Sequence, residues 1–228
     1  MKTSSRLGVL TIGQSPRGDV LPEFLPLLSP DTQIVQRGAL DGLSKAEIEA
    51  LRPEEGDYTL VTRLLDGSEV RLAERLILAR MRRCVKKLEE GGAQLIALFC
   101  TGEFPDLGAS VPILRPDRIL GKIISALLPE DGKLCVIAPV SEQIPAMIRK
   151  WSRDGRSVHA EAVSPYSATE GELELAAQRA AKSPCDLVVL DCIGYTGKAR
   201  SIFRESLHKP VLLPRTVLGR IAAEMLEG

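Results

Sequence analysis

The sequence predicts an α/β protein made of two pseudo-symmetric domains, each with a mostly parallel sheet, and a cleft between the domains. Short apolar runs alternate with helical patterns along the whole chain, without a low-complexity segment or a linker. The segment QLIALFCTG at 94–102 has a counterpart in DLVVLDCIG at 186–194, and in both an apolar strand runs into a cysteine. LGVLTIGQSPRGD at 7–19 and KLCVIAPVSEQIP at 133–145 also match in outline, which indicates two copies of one unit.

The first predicted domain comprises residues 1–116 and is joined by the C-terminal segment 210–228. Ser44 and Glu47 form a capping-box signal for a short helix. Asp66-Gly67 between two alternating segments predicts a β-hairpin. The expected strands are 7–12, 32–37, 58–65, 69–72, 94–100, 111–114 and 211–213, and the expected helices are 19–28, 73–90 and 216–226.

The second predicted domain comprises residues 117–209. Its first strand, 133–138, is followed by a polar loop and a helical pattern, as in the first domain. Thr169 and the acidic residues after it are typical of a helix start. The expected strands are 133–138, 158–163 and 186–191, and the expected helices are 117–128, 142–152 and 169–181.

The composition argues against several classes of function. The 30 basic and 30 acidic side chains balance, so the chain lacks the electrostatic signature of a nucleic-acid partner or an anionic membrane surface. The apolar runs are far shorter than the roughly 18 residues that a membrane span needs. The N-terminal segment is interpreted as a strand rather than a signal peptide, so a cytoplasmic protein is expected. The oligomeric state stays open, with a homodimer as one alternative.

The cysteines and histidines predict neither disulfides nor a metal site. The five cysteines are odd in number and include no Cys-x-x-Cys motif. The two histidines, His159 and His208, are far apart and have no ligand spacing. We therefore expect no metal and no cofactor. Cys84, Cys135 and Cys185 are assigned to packing because free cysteine is among the most buried residue types.

Cys100 and Cys192 are the candidate catalytic residues. Ligands of parallel sheets bind beyond the carboxyl ends of the strands, which is where both cysteines are expected. Facing units would place two thiols on opposite walls of one cleft. One thiolate could then remove a proton from a carbon next to a carboxylate while the other thiol returns a proton to the opposite face. Alternatively, one thiolate adds to an alkene or carbonyl carbon and the other thiol supplies the proton.

Loop residues near the strand ends are candidates for binding a small carboxylate. The loop with Gln14, Ser15 and Arg17 could hold an anion through backbone N–H groups, and Arg17 could clamp a carboxylate or be an ordinary surface arginine at a helix start. Tyr195 and Thr196 could reach a ligand through their hydroxyls, although Tyr195 is equally expected to pack under its loop.

Three segments resemble the AroM family, which lies within the aspartate/glutamate racemase superfamily. They are LTIGQSPR at 10–17, FCTGEF at 99–104 and LDCIGYT at 190–196, and the resemblance covers essentially the whole chain. It implies a racemase-like fold of two α/β domains with one catalytic cysteine each. The superfamily includes amino-acid racemases, hydantoin racemase and maleate isomerase. The family name derives from an association with genes of aromatic amino-acid biosynthesis.

The resemblance also implies roles for individual residues. Cys100 and Cys192 take the positions of the two racemase cysteines, and Thr101 follows the first as the residue that holds a substrate carboxylate. Hydroxyl, amide and backbone N–H groups of these loops form the implied binding set, which here comprises Ser15, Thr101, Gly102, Ser141, Gly194, Tyr195 and Thr196. Ser141 is an equally good candidate for a helix N-cap.

The second cysteine motif departs from the usual racemase pattern in two respects. It is Cys-Ile-Gly-Tyr-Thr, whereas amino-acid racemases usually have Cys-Thr directly. Glutamate racemases also carry an Asp-His pair near their second cysteine, and neither histidine of this chain stands there. Two hypotheses follow. The first is a cofactor-independent racemase- or isomerase-type enzyme acting on a small carboxylate. The second is a non-catalytic protein that binds a small metabolite linked to aromatic amino-acid metabolism.

Overall fold

The computed structural model describes residues 5–226, which divide into two compact units. Unit 1 contains residues 5–116 and 215–226, and unit 2 contains residues 117–214. Residues 1–4 and 227–228, at the ends of the predicted first domain, lie outside the described residues. The C-terminal segment of the predicted first domain starts at residue 210. In the structure the segment that belongs to unit 1 starts at Arg215, because Val211 and Leu212 pair with a strand of unit 2.

Unit 1 is built around a four-stranded parallel sheet. The elements are β1 (Arg6–Thr11), α1 (Leu21–Phe24), β2 (Gln33–Gly38), α2 (Lys45–Glu49), β3 (Thr59–Arg63), β4 (Glu69–Ala73), α3 (Glu74–Glu90), β5 (Leu95–Phe99) and β6 (Ile113–Leu114). The strand order is β2-β1-β5-β6. β5 is buried along its whole length, as its uninterrupted apolar sequence predicts for a central parallel strand.

A separate antiparallel hairpin, β3–β4, belongs to unit 1. Its register pairs Thr59 with Ala73 and Arg63 with Glu69 around the predicted Asp66-Gly67 turn, and Gly67 adopts the positive φ of 89° that this turn requires. One face of α3 packs on the sheet through Ile77, Met81, Cys84, Val85 and Leu88. These apolar residues recur at helical spacing and form the buried face of α3.

Unit 2 repeats the sheet of unit 1. Its elements are α4 (Pro116–Leu127), β7 (Lys133–Ala138), α5 (Ile144–Trp151), β8 (Ser157–Ala162), α6 (Glu170–Ala180), β9 (Leu187–Leu190), α7 (Gly197–Leu207) and β10 (Val211–Leu212), and α8 (Pro214–Leu226) returns to unit 1. The parallel strand order is β10-β9-β7-β8. β7, β8, β9 and β10 thus correspond to β1, β2, β5 and β6. The predicted α/β fold of two pseudo-symmetric parallel-sheet domains is confirmed.

Two helices differ from the sequence prediction. α7 was not predicted, although Ala199, Phe203 and Leu207 recur at four-residue spacing and form its buried face. The helix expected at 19–28 is a single turn, α1, followed by a 3-10 turn at Leu25–Leu27. Pro22 and Pro26 account for this shortening, because proline lacks the N–H that a continuous helix needs. No helix within residues 5–226 has the length and apolar character to cross a membrane.

Candidate functional site

Cys100 directly follows β5 and lies in a tight loop of unit 1. Its Sγ accepts a hydrogen bond from the backbone N–H of Gly102, with N and S 3.4 Å apart. A Cβ at position 102 would lie 2.7 Å from Leu60 Cδ2, so glycine allows β3 to pack closely over this loop. The side chain of Cys100 is buried, with 7% of its surface exposed. The loop therefore presents a backbone donor to the sulfur.

Cys192 follows β9 in unit 2 and repeats this contact. Its Sγ accepts from the backbone N–H of Gly194 at 3.5 Å. β9 corresponds to β5, and each is the third strand, in chain order, of its unit's parallel sheet. In both units a cysteine follows this third strand, and its sulfur accepts a hydrogen bond from the N–H of the glycine two residues later. A hydrogen bond donated to sulfur favours its anionic form. The two cysteine segments that match in sequence therefore also match in the hydrogen bond that their sulfur accepts.

Tyr166 is a site residue that the sequence analysis missed. Its hydroxyl lies 3.6 Å from Cys192 Sγ, within hydrogen-bonding range for sulfur. Tyr166 belongs to the loop after β8, so it meets Cys192 from another strand of the same sheet. The available signal was the Ser-Pro-Tyr sequence immediately beyond a strand end, where parallel sheets place functional side chains.

The loop after β1 holds Gln14 and Ser15 through neighbouring segments of unit 1. Asp41 accepts from the Ser15 backbone N–H at 2.7 Å, from the Ser15 hydroxyl at 2.6 Å and from the Gly38 N–H at 2.8 Å. The Gln14 amide oxygen accepts from the Leu65 N–H at 2.9 Å. Asp41 therefore orients Ser15, and Gln14 ties its loop to the β3–β4 hairpin.

Arg17 has a different environment from either alternative read from the sequence. It is 2% exposed, so it is no surface arginine. Its Nε and Nη2 both donate to the Asp19 carboxylate at 2.7 Å, and Nη1 donates to the Thr11 hydroxyl at 3.0 Å. The donor pair suited to a bidentate clamp already binds Asp19. Burial raises the pKa of Asp19, but the hydrogen bond and charge of Arg17 outweigh it and hold that pKa below its usual value.

A cavity of about 370 Å³ adjoins this loop within unit 1. The loop after β1 and the β3–β4 hairpin both line it. The lining residues are Gln14, Pro16, Arg17, Gly18, Asp19, Arg63, Leu64 and Leu65. Arg63 donates through Nε to the Gly67 carbonyl at 3.2 Å, which holds its guanidinium over the hairpin turn. Two of the predicted binding residues, Gln14 and Arg17, thus line one cavity.

The remaining candidates of unit 2 have largely structural contacts. Tyr195 is fully buried, and its hydroxyl contacts the backbone carbonyls of Ala138 at 2.9 Å and Val163 at 2.6 Å, which links the ends of β7 and β8. The Thr196 hydroxyl accepts from the Ala199 N–H at 3.2 Å and caps α7. Ser141 is exposed, begins a 3-10 turn and donates to the Glu142 carboxylate at 3.1 Å.

The residues that flank the two catalytic candidates are also held in place. Thr101 is 4% exposed, and the Glu103 N–H lies 3.4 Å from the Tyr58 hydroxyl at the base of the hairpin. Asp191 is buried, and its carboxylate accepts from Lys150 Nζ at 2.9 and 3.1 Å and from Trp151 Nε1 at 2.6 Å. This cluster fixes the chain immediately before Cys192.

The other three cysteines pack in the two cores. Cys84 donates to the Gly38 carbonyl at 3.4 Å, and burial raises the pKa of its thiol. In unit 2 the Cys135 and Cys185 side chains hydrogen-bond to each other, which raises the pKa of Cys135 and lowers that of Cys185. Among residues 5–226 no group of three or more histidine, cysteine or acidic side chains has a metal-binding arrangement.

Solved structures share this fold of two parallel α/β units. A double mutant of arylmalonate decarboxylase in its liganded form matches with a TM-score of 0.65 at 13% identity, over 98% of this chain and 93% of that one. The maleate isomerase of Pseudomonas putida matches with a TM-score of 0.63 at 14% identity, over 98% and 93%. Glutamate racemase from Bacillus anthracis matches with a TM-score of 0.61 at 14% identity, over 98% and 82%.

The chain belongs to the AroM family, because the model of the AroM protein family matches residues 7–226. The family resemblance read from the three sequence segments is therefore confirmed. A sequence comparison with curated proteins finds no match. The structural matches lie between 13% and 14% identity and establish the fold alone.

Proposed function

We propose that this protein is a cofactor-independent racemase- or isomerase-type enzyme that acts on a small carboxylate through Cys100 and Cys192. One observation carries the proposal. In both units the cysteine after the third strand receives a hydrogen bond from the glycine N–H two residues later. The same contact recurs at equivalent strand ends of the two units, and a hydrogen bond donated to sulfur favours the thiolate form.

In the proton-transfer form of the reaction, one thiolate removes the hydrogen from the carbon next to the substrate carboxylate. The electron pair is then delocalised into the carboxylate, and the other thiol delivers its proton to the opposite face of the carbon. No electron is gained or lost. The two sulfurs exchange protonation states, and solvent restores the starting state.

In the addition form, one thiolate bonds to an alkene carbon and the other thiol protonates the neighbouring carbon. Rotation about the new single bond follows. The second sulfur, now a thiolate, then takes a proton back from the neighbouring carbon as the first thiolate leaves, and the double bond re-forms as the isomer. Both forms use a substrate carboxylate, and Thr101, which follows Cys100, is the proposed hydroxyl donor to it. The single hydroxyl proton of Ser15 is donated to Asp41. The solved structures named as a maleate isomerase and a glutamate racemase, which share the fold, support both forms.

The first experiment compares thiol reactivities. The protein is treated with iodoacetamide at neutral pH, and the modification of each cysteine is followed by mass spectrometry. We expect Cys100 and Cys192 to react faster than Cys84, whose pKa is raised by burial. Cys185, whose pKa is lowered, is followed separately as a second reference. Equal rates at Cys100, Cys192 and Cys84 would overturn the thiolate proposal.

The second experiment measures turnover in D₂O with enantiomers of small carboxylates. In the proton-transfer form the wild type incorporates deuterium at Cα of these enantiomers. The addition form acts instead on unsaturated carboxylates, which are supplied in parallel, and gives their geometric isomers. Cys100→Ala and Cys192→Ala should each abolish interconversion. Each should retain exchange with the enantiomer whose hydrogen faces the remaining thiol. Retention of interconversion in both variants would contradict the two-thiol reaction.

The burial of both sulfurs, 7% and 6% exposed, favours a second candidate, a non-catalytic protein that binds a small metabolite. In that case the cysteine loops serve as anion-binding backbone without thiol chemistry. A thermal-shift screen of small carboxylates tests it. Stabilisation that is unchanged in Cys100→Ser and Cys192→Ser, together with no exchange in D₂O, would favour binding over catalysis.

A further inference from the structure

Tyr166 is positioned to act on the sulfur of Cys192. Its hydroxyl oxygen is 3.6 Å from Sγ, and either atom can donate when the sulfur is a neutral thiol. When the sulfur is a thiolate it has no proton, so the hydroxyl must be the donor. The contact therefore strengthens as Cys192 ionises, because hydrogen bonds to charged acceptors are stronger than those to neutral ones.

The loop after β8 holds Tyr166 in this position by two independent means. The Ser164 hydroxyl accepts from the backbone N–H groups of Tyr166 and Ser167, both at 3.1 Å, which fixes the turn. The tyrosine ring lies directly against Gly194, where a Cβ would come within 2.5–2.7 Å of Cε1, Cζ and the hydroxyl oxygen. Gly194 thus serves twice, since its N–H reaches Cys192 and its missing side chain leaves room for the ring.

The other tyrosines have different contacts. The Tyr195 hydroxyl contacts the backbone carbonyls of Ala138 and Val163. The Tyr58 hydroxyl, in unit 1, accepts a hydrogen bond from the Glu103 backbone N–H. Several charged side chains of unit 2 make contacts of their own. These are Asp191 with Lys150, Lys198 with Glu170, and Glu142 with the Ser141 hydroxyl. Tyr166 supplies a neutral hydroxyl directly to the sulfur.

We propose that Tyr166 is a catalytic residue that stabilises the thiolate of Cys192 by donating a hydrogen bond to it. This inference rests on the proposed function, since it assigns a role at one of the two reacting sulfurs. It also gives Cys192 a donor in a motif that carries no histidine. Tyr166 and the Gly194 N–H together form a two-donor site for the negative charge.

The test is the pH dependence of iodoacetamide alkylation at Cys192, measured by mass spectrometry in the wild type and in Tyr166→Phe. Loss of a hydrogen bond to a charged group should move the midpoint of the profile upward by about one pH unit and slow alkylation at neutral pH about tenfold. The profile of Cys100 in the same sample is the internal control and should not move. Tyr58→Phe, which removes a hydroxyl in unit 1, should leave Cys192 unchanged.

A second variant keeps the experiment decisive if Tyr166→Phe perturbs the loop. Ser164→Ala retains the Tyr166 hydroxyl but removes the two contacts that fix its turn, and it should shift the Cys192 profile in the same direction. Circular dichroism establishes that each variant is folded. An unchanged Cys192 profile in folded Tyr166→Phe, or an equal shift in Tyr58→Phe, would overturn the inference.

The outcome is separable from that of the proposed function because alkylation needs no substrate. A shifted Cys192 profile without deuterium exchange in any substrate would sustain the role of Tyr166 at the thiolate and count against catalysis. Exchange in the wild type with an unshifted profile in Tyr166→Phe would sustain catalysis and refute the role of Tyr166.

Discussion

Replacement of Lys150 by methionine should strongly destabilise unit 2. Lys150 Nζ lies 2.9 and 3.1 Å from the two oxygens of Asp191, and the two side chains are 5% and 0% exposed. Lys150→Met preserves most of the apolar volume but removes the cationic donor to a buried carboxylate, which still accepts from Trp151 Nε1 at 2.6 Å. Removal of one partner of a buried ion pair costs about 3–5 kcal/mol. Lys150 also lies 4.3 Å from the Trp151 ring centroid, a contact that adds about 0.5–2 kcal/mol.

Thermal unfolding followed by circular dichroism measures this loss. A chain of this size shifts its Tm by about 2–4 °C per kcal/mol, so the ion-pair loss alone predicts a decrease of about 6–20 °C in the Tm of the whole chain. The control is Lys198→Met, which breaks the exposed pair with Glu170 and should cost less than about 1 kcal/mol. The double variant Lys150→Met/Asp191→Leu should recover much of the stability. A decrease for Lys150→Met no larger than for Lys198→Met would refute the reasoning.

Three further predictions concern a cap, a pH dependence and a loop glycine. Thr196→Ala removes the N-cap of α7 and should destabilise unit 2 by about 1 kcal/mol in urea unfolding. The pKa of Asp19 is lowered below 3.8, so its pairing with Arg17 stabilises unit 1 above that pH and is lost as the pH falls further. Asp19→Asn should therefore reduce the loss of unfolding free energy that occurs between pH 7 and pH 2. Gly102→Ala should displace the N–H from Cys100 and slow its alkylation in mass spectrometry, and an unchanged rate would contradict the assigned donor.

The elements that sequence reasoning located well are those whose signals are local. The capping box at Ser44 and Glu47 is present, and the strand 133–138 matches its predicted bounds. The apolar runs that stop at Cys100 and Cys192 also mark strand ends, because central parallel strands must be apolar on both faces. Local patterns therefore sufficed for the two sheets and for the two cysteine positions.

The contacts that sequence reasoning missed arise between segments that are distant along the chain. Tyr166 meets Cys192 across the carboxyl edge of the sheet, and Asp41 reaches Ser15 from the loop after β2. Arg17 has its carboxylate partner two residues away, but its burial comes from the packing of the surrounding unit, which no local pattern reports. α7 was missed because charged residues outnumber its evenly spaced buried ones.

The β3–β4 hairpin distinguishes unit 1 from unit 2. Its ends, Thr59 and Ala73, are paired with each other, so the hairpin begins and ends at nearly one point of unit 1. Its two strands form a sheet of their own, separate from the parallel sheet. Leu65, in the hairpin turn, donates a backbone hydrogen bond to Gln14, and Leu60 of β3 packs against Gly102 in the loop of Cys100. A substitution at Leu60 would thus alter the surroundings of Cys100 from a hairpin that has no counterpart among the described strands of unit 2.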